Sequence, residues 1–184
     1  MPKLIYNAPV VLTFSLIASL VMLIDEQSIW PGVVAKYFTG TDSFDYTEFK
    51  DYWLSFSHVL GDSCWKDLFS NLTFILLLGP ILEEKYGSGK LLVMILITAV
   101  VSTVVNVLFV SSDLLGASGI VLMFITLSSV TELKQKSVPI TFLLVVTIFL
   151  GSEIASILNS SSISHLPQLI GGAAGTVFGF VMKH

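Results

Sequence analysis

Long apolar runs separated by short polar breaks dominate the chain. They occupy residues 8–24, 68–82, 91–110, 116–130, 138–158 and 166–182. A helix rises 1.5 Å per residue, so ~20 apolar residues cross the hydrocarbon core of a bilayer. The pattern predicts an all-α polytopic membrane protein with six transmembrane helices, forming a single domain over residues 1–184. The first run lacks a small-residue cleavage site, so it is expected to be a retained helix and not a signal peptide.

Composition agrees with this reading. The chain is 54% hydrophobic and 12% charged, with a mean hydropathy of +0.87. A soluble domain carries about twice that share of charge. Net charge is -4 and the nine cationic residues are lysines scattered along the chain, which excludes a nucleic-acid surface. The single cysteine, Cys64, excludes an internal disulfide. The histidines, His58, His165 and His184, do not have zinc-ligand spacing, and no metal or cofactor is expected.

The lysines also set an orientation. With the N-terminus inside, the cytoplasmic segments hold Lys3, Lys85, Lys90, Lys134, Lys136 and Lys183 against Glu83, Glu84 and Glu132. The outer segments hold Lys36, Lys50 and Lys66 against nine acids from Asp25 to Asp113. Both termini are therefore expected in the cytoplasm. Residues 25–67 form the one composition shift, with ten aromatic rings between Trp30 and Trp65. Such rings favour the headgroup level, so short interfacial helices are expected there, where a solvated loop would expose too many large rings.

Polar residues at the outer ends of spans carry the candidate chemistry, because each is costly in a bilayer unless it faces protein or a water-filled cavity. The second span opens with Asp62, Asp67 and Asn71, the fourth with Gly116-Ala117-Ser118-Gly119, and the sixth with His165 and Gln168. Glycines at 171, 175 and 179 form a small-residue stripe with Gln168 on it, and the glycines flanking Ser118 are its natural counterpart. A plain packing role for both motifs remains open, with Ser118 bonded back to its own helix. Glu153 in the fifth span reads as a hydrogen-bonded structural carboxyl.

In order, Asn71, Gly79-Pro80, Glu83, Tyr86-Gly87-Ser88, Gly116-Ala117-Ser118-Gly119 and Gly171-Gly172-Ala173-Ala174-Gly175 resemble the rhomboid family of six-span intramembrane serine proteases. The resemblance covers residues 53–180. It implies Ser118 as nucleophile, with its backbone N–H and the Asn71 side chain holding the oxyanion. It also implies a site open to the outer face of what is expected to be a bacterial cell membrane, transmembrane helices of other membrane proteins as partners, and no cofactor.

The chain departs from that pattern where protons move. The family commonly has histidines nine and four residues before Asn71; here they are Asp62 and Asp67. The family's catalytic histidine falls at Gln168, and the usual Trp-Arg pair of the first loop is missing. A serine hydroxyl needs a base to take its proton and an acid to return it to the leaving amine, and glutamine does neither. In soluble serine proteases loss of that histidine costs about 10⁶-fold in turnover. Two substitutes are conceivable: His165, one helical turn before Gln168 and reaching Ser118 through a distortion at Pro167, and Asp67. An exposed aspartate is a weak base, and an anionic one beside an oxyanion repels it. Three functions follow: a pseudoprotease that binds transmembrane segments, an intramembrane serine protease with an unusual base, and a small transporter or channel with Asp62, Asp67 and Glu153 along its path.

Overall fold

The computed structural model describes residues 6–26, 30–40, 44–110, 112–134 and 166–182, with isolated helical positions at 140, 143, 144, 147 and 151. In chain order the helices are α1 (Pro9–Glu26), α2 (Val33–Tyr37), α3 (Phe49–Ser57), a 3₁₀ turn (His58–Leu60), α4 (Trp65–Tyr86), α5 (Ser88–Val105) continuing into a π turn (Asn106–Val110), α6 (Ser118–Lys134) and α7 (Leu166–Val181). Most of the predicted run at 138–158, including Glu153, lies outside the described residues, as does His165.

Packing explains the order of the bundle. Every residue from Ile120 to Ile125 is buried, so α6 is the central helix, apolar all round because neighbours surround it. The buried residues of α4, Leu68, Leu72, Ile75, Leu78, Leu82 and Tyr86, recur every three or four positions and form one inward stripe. The other faces stay apolar: Leu16 and Leu20 on α1, Leu77 and Ile81 on α4, Val104 on α5 and Phe180 on α7 are all exposed. Helices α1 and α4, and α5 with its π turn, are long and apolar enough to cross a membrane, while α6 and α7 are shorter apolar helices. An outer surface of this kind is covered by lipid hydrocarbon.

One buried acid is fully accounted for. The first N–H groups of a helix have no partner within it, and Pro9 opens α1 without contributing one. The backbone N–H groups of Val10 and Val11 donate to the two carboxylate oxygens of Glu83, at 2.9 and 3.0 Å. An acid near the end of α4 thus caps the start of α1. Gly79, one turn earlier, lets Val11 close in: a Cβ there would stand 2.6 Å from Val11 Cγ2.

Some boundaries differ from the sequence reading. Helix α4 extends the expected 68–82 run at both ends, because Lys66, Asp67, Glu83, Glu84 and Lys85 keep helical hydrogen bonding although they end the apolar pattern. Asp62, expected to open the second span, lies in the turn before α4. Gly116 and Ala117 precede α6, and the expected 91–110 helix finishes in a π turn. Helix α7 begins at Leu166 with Pro167 in its first turn, where a missing N–H costs nothing. The residues between α1 and α4 do form short helices, α2 and α3.

Candidate functional site

The loop before α6 is fastened at two points, and this fixes where Ser118 begins its helix. Gly40 and Leu114 exchange backbone hydrogen bonds of 2.8 and 3.0 Å, and the Gly116 N–H donates to the His58 carbonyl at 3.0 Å. Gly116 has φ +111, a conformation that glycine reaches without strain. The chain then enters α6 at Ser118, in the first turn, where backbone N–H groups lack intrahelical acceptors.

Helix α7 is pressed onto this turn. A Cβ on Gly171 would overlap the Gly119 carbonyl, and one on Gly175 would overlap the Met123 carbonyl and the Thr126 hydroxyl. The Thr126 hydroxyl donates to Gly172 O at 2.9 Å, and the Ser102 hydroxyl of α5 donates to Pro167 O at 3.1 Å. The glycine stripe and Gly119 therefore meet as their spacing predicts, whereas Gly116, expected on the same contact, faces Asp62. Their contact leaves a cavity of about 180 Å³, lined by Ser118 and Gly119 from α6, Pro167 and Gln168 from α7, Ser102 from α5, and His58 and Asp113 from the loops.

Asn71 and Asp62 form a buried pair beside it. The Asn71 amide donates to one carboxylate oxygen of Asp62 at 2.7 Å, while the other oxygen of Asp62 is buried without a partner. Burial pushes the Asp62 carboxyl up to about 7; the Asn71 bond opposes the rise, Asp67 adds to it, and the Ala117 backbone N–H opposes it. The amide that the family resemblance assigns to an oxyanion is thus donating to a carboxylate.

The sequence-derived candidates separate accordingly. Ser118 and Gln168 share the cavity. Asn71 is linked to its rim through Asp62, and Asp67 is exposed on the first turn of α4, away from the lining. His165 lies outside the described residues. Among the described residues no three histidine, cysteine or acidic side chains gather as a metal site would require.

His58 is the site residue that the sequence reading passed over. It is 2% exposed, lines the cavity, and its Nδ1 lies 3.1 Å from the Leu54 carbonyl. With Nδ1 donating, Nε2 keeps its lone pair. Burial pulls this imidazole down to about 4, against the Leu54 and Ser55 backbone bonds, so it is neutral at pH 7. The one signal in the sequence is a histidine directly after an aromatic helix and three residues before Gly61.

Comparison with known proteins adds the family. Among curated proteins no relative matches the chain. The family model for the Rhomboid domain matches residues 50–184, well over half of its 184 residues, and covers Asn71, Ser118, Gln168 and the glycine stripe. This all-helical membrane protein belongs to the rhomboid family.

Proposed function

We propose that the chain has the six-helix rhomboid arrangement, with both termini cytoplasmic and the Ser118 cavity facing outward, and that it binds transmembrane segments of other membrane proteins without cutting them efficiently. The observation that carries this reading is the shared cavity of Ser118 and Gln168. The family resemblance puts a base at position 168, and the side chain there is an amide that neither accepts the serine proton nor returns it. Asp67 stands away from the lining and supplies no replacement. The transporter alternative needs a polar route through the bundle, whereas the middle of α6 is apolar and buried from Ile120 to Ile125.

A second reading is favoured by one observation, the neutral imidazole of His58 in the same cavity. In it Ser118 is the nucleophile of an intramembrane protease and His58 takes the proton that a histidine at 168 would take. A base held well below neutrality accepts protons poorly, so the binding reading is preferred.

The test is a fluorescence-transfer measurement of a labelled transmembrane peptide joining the reconstituted protein in vesicles, with the same samples run on a gel for cleavage. Binding unchanged by Ser118→Ala, weakened by Trp53→Ala in the first loop, and without product bands is the expected result. Product bands that disappear in Ser118→Ala establish the protease reading, and loss of them in His58→Ala assigns the base.

A further inference from the structure

Asp62 is only 4% exposed and stands where three pieces of the fold meet. One carboxylate oxygen accepts the Asn71 amide of α4 at 2.7 Å. The same oxygen lies against Gly116, 3.3 Å from the place of a Cβ, and the Ala117 backbone N–H turns toward the carboxylate. Its second oxygen is buried with no hydrogen-bond partner. An ionised carboxylate left half-satisfied in this way costs more than its neutral form, while the Asn71 amide favours ionisation, so the group is poised between two states.

The charged surroundings do not fix it in either one. On the first turn of α4, Lys66 and Asp67 are both exposed, and Asp67 opposes ionisation. His58, on the 3₁₀ turn, is buried and neutral, and Asp113, on the loop before α6, is exposed. Glu26 of α1 is bonded to Trp65. The charged residues of α5 and α6, Lys90, Glu132 and Lys134, lie toward the opposite ends of those helices from the Asp62 turn, and α7 carries none.

We propose that Asp62 is a positioning residue for Ser118: its carboxylate ties Asn71 to the Gly116–Ala117 turn, and loss of one proton tightens that tie while its gain loosens it. The proton is exchanged with water. In the ionised state both donors are held by charge-assisted hydrogen bonds, which are about twice as strong as neutral ones. In the protonated state those bonds weaken, and the turn that leads directly into Ser118 gains freedom. Burial places the exchange near neutrality, at about pH 7. The effect concerns the position of the turn, whether or not Ser118 reacts, so its failure is separate from failure of the binding reading.

The experiment titrates the full chain in detergent from pH 5 to 9 by two signals: the infrared carbonyl band of protonated carboxyl groups, and amide deuterium exchange of the peptide covering residues 114–121, corrected for intrinsic exchange. Both are expected to change together with a midpoint near 7, with exchange slowing as the carboxyl ionises. Asp62→Asn is expected to abolish both transitions while thermal unfolding shows a folded protein. Asp67→Asn, at an exposed position, is expected to move the midpoint to lower pH by removing a like charge. A transition that survives in Asp62→Asn, or exchange that is flat across the range in the wild type, overturns the proposal. Should Asp62→Asn fail to fold, an unmoved midpoint in Asp67→Asn overturns it instead.

Discussion

Replacing Gly171 with alanine tests how closely the site depends on helix contact. The new methyl would stand 2.6 Å from the Gly119 carbonyl carbon and 2.9 Å from its Cα, where ordinary contact begins near 3.4 Å. The obstacle is backbone, so α6 and α7 must part by ~1 Å. A gap of that size forfeits a quarter to a half of each ~0.1–0.2 kcal/mol atom contact. Over roughly 40 atom pairs along the stripe this amounts to ~1–4 kcal/mol. Loosening the hydrogen bond from Thr126 to Gly172 adds ~1 kcal/mol, for a total of about 2–5 kcal/mol. Gly172→Ala is the control, because its methyl would meet side chains and not backbone, Leu122 at 3.1 Å and the Thr126 methyl at 3.6 Å, and it is expected to cost under ~1 kcal/mol. The assay is reversible unfolding in mixed micelles. A Gly171→Ala protein within ~0.5 kcal/mol of wild type, or no less stable than Gly172→Ala, would refute the reasoning.

Further perturbations separate other parts of the account. Glu83→Ala leaves the Val10 and Val11 N–H groups of α1 unpartnered and is expected to lower stability by ~2–4 kcal/mol, with Glu83→Gln intermediate because one oxygen still accepts; equal loss in both would contradict the capping role. Tyr86→Phe removes the buried bond to Thr131 and is expected to cost ~1 kcal/mol in the same unfolding assay. Two buried groups oppose each other in pH dependence. Between about 4 and 6.5 the unfolded chain takes a proton that folded His58 refuses, so this group makes stability fall as pH falls. From about 4 to 7 folded Asp62 holds a proton that the unfolded chain releases, so this group makes stability fall as pH rises. For these two groups wild-type stability is expected to vary little from pH 4 to 6.5, Asp62→Asn to lose stability on acidification, and His58→Gln to gain it; parallel pH curves for all three proteins would refute the assignment.

What was legible in the sequence was periodicity and omission. Leu68, Leu72, Ile75 and Leu82 show the inward face of α4, and glycines every four residues mark where α7 lies on Gly119. The absence of a histidine at position 168 can be read directly. Hydrogen-bonding partners far apart in the chain were not legible. Glu83 is 73 residues from Val10, and nothing local announces that an acid ending one apolar run caps the start of another. The partners of Asp62, a residue the sequence does single out, and the place of His58 in the cavity were hidden for the same reason: both come from the Gly116–Ala117 turn, which is brought against them only when α6 packs centrally. Helix ends were misplaced because charged residues close an apolar run sooner than they close a helix, as Glu83, Glu84 and Lys85 show in α4.

The most direct test of the central claim is labelling of the detergent-solubilised protein with a fluorophosphonate serine probe, comparing wild type, Ser118→Ala and Gln168→His. The account predicts no Ser118-dependent label in wild type and a gain in Gln168→His, because Ser118 shares its cavity with position 168, where glutamine supplies no base. Labelling of the wild type that disappears in Ser118→Ala would contradict it, showing an activated serine and directing the search for its base to His58.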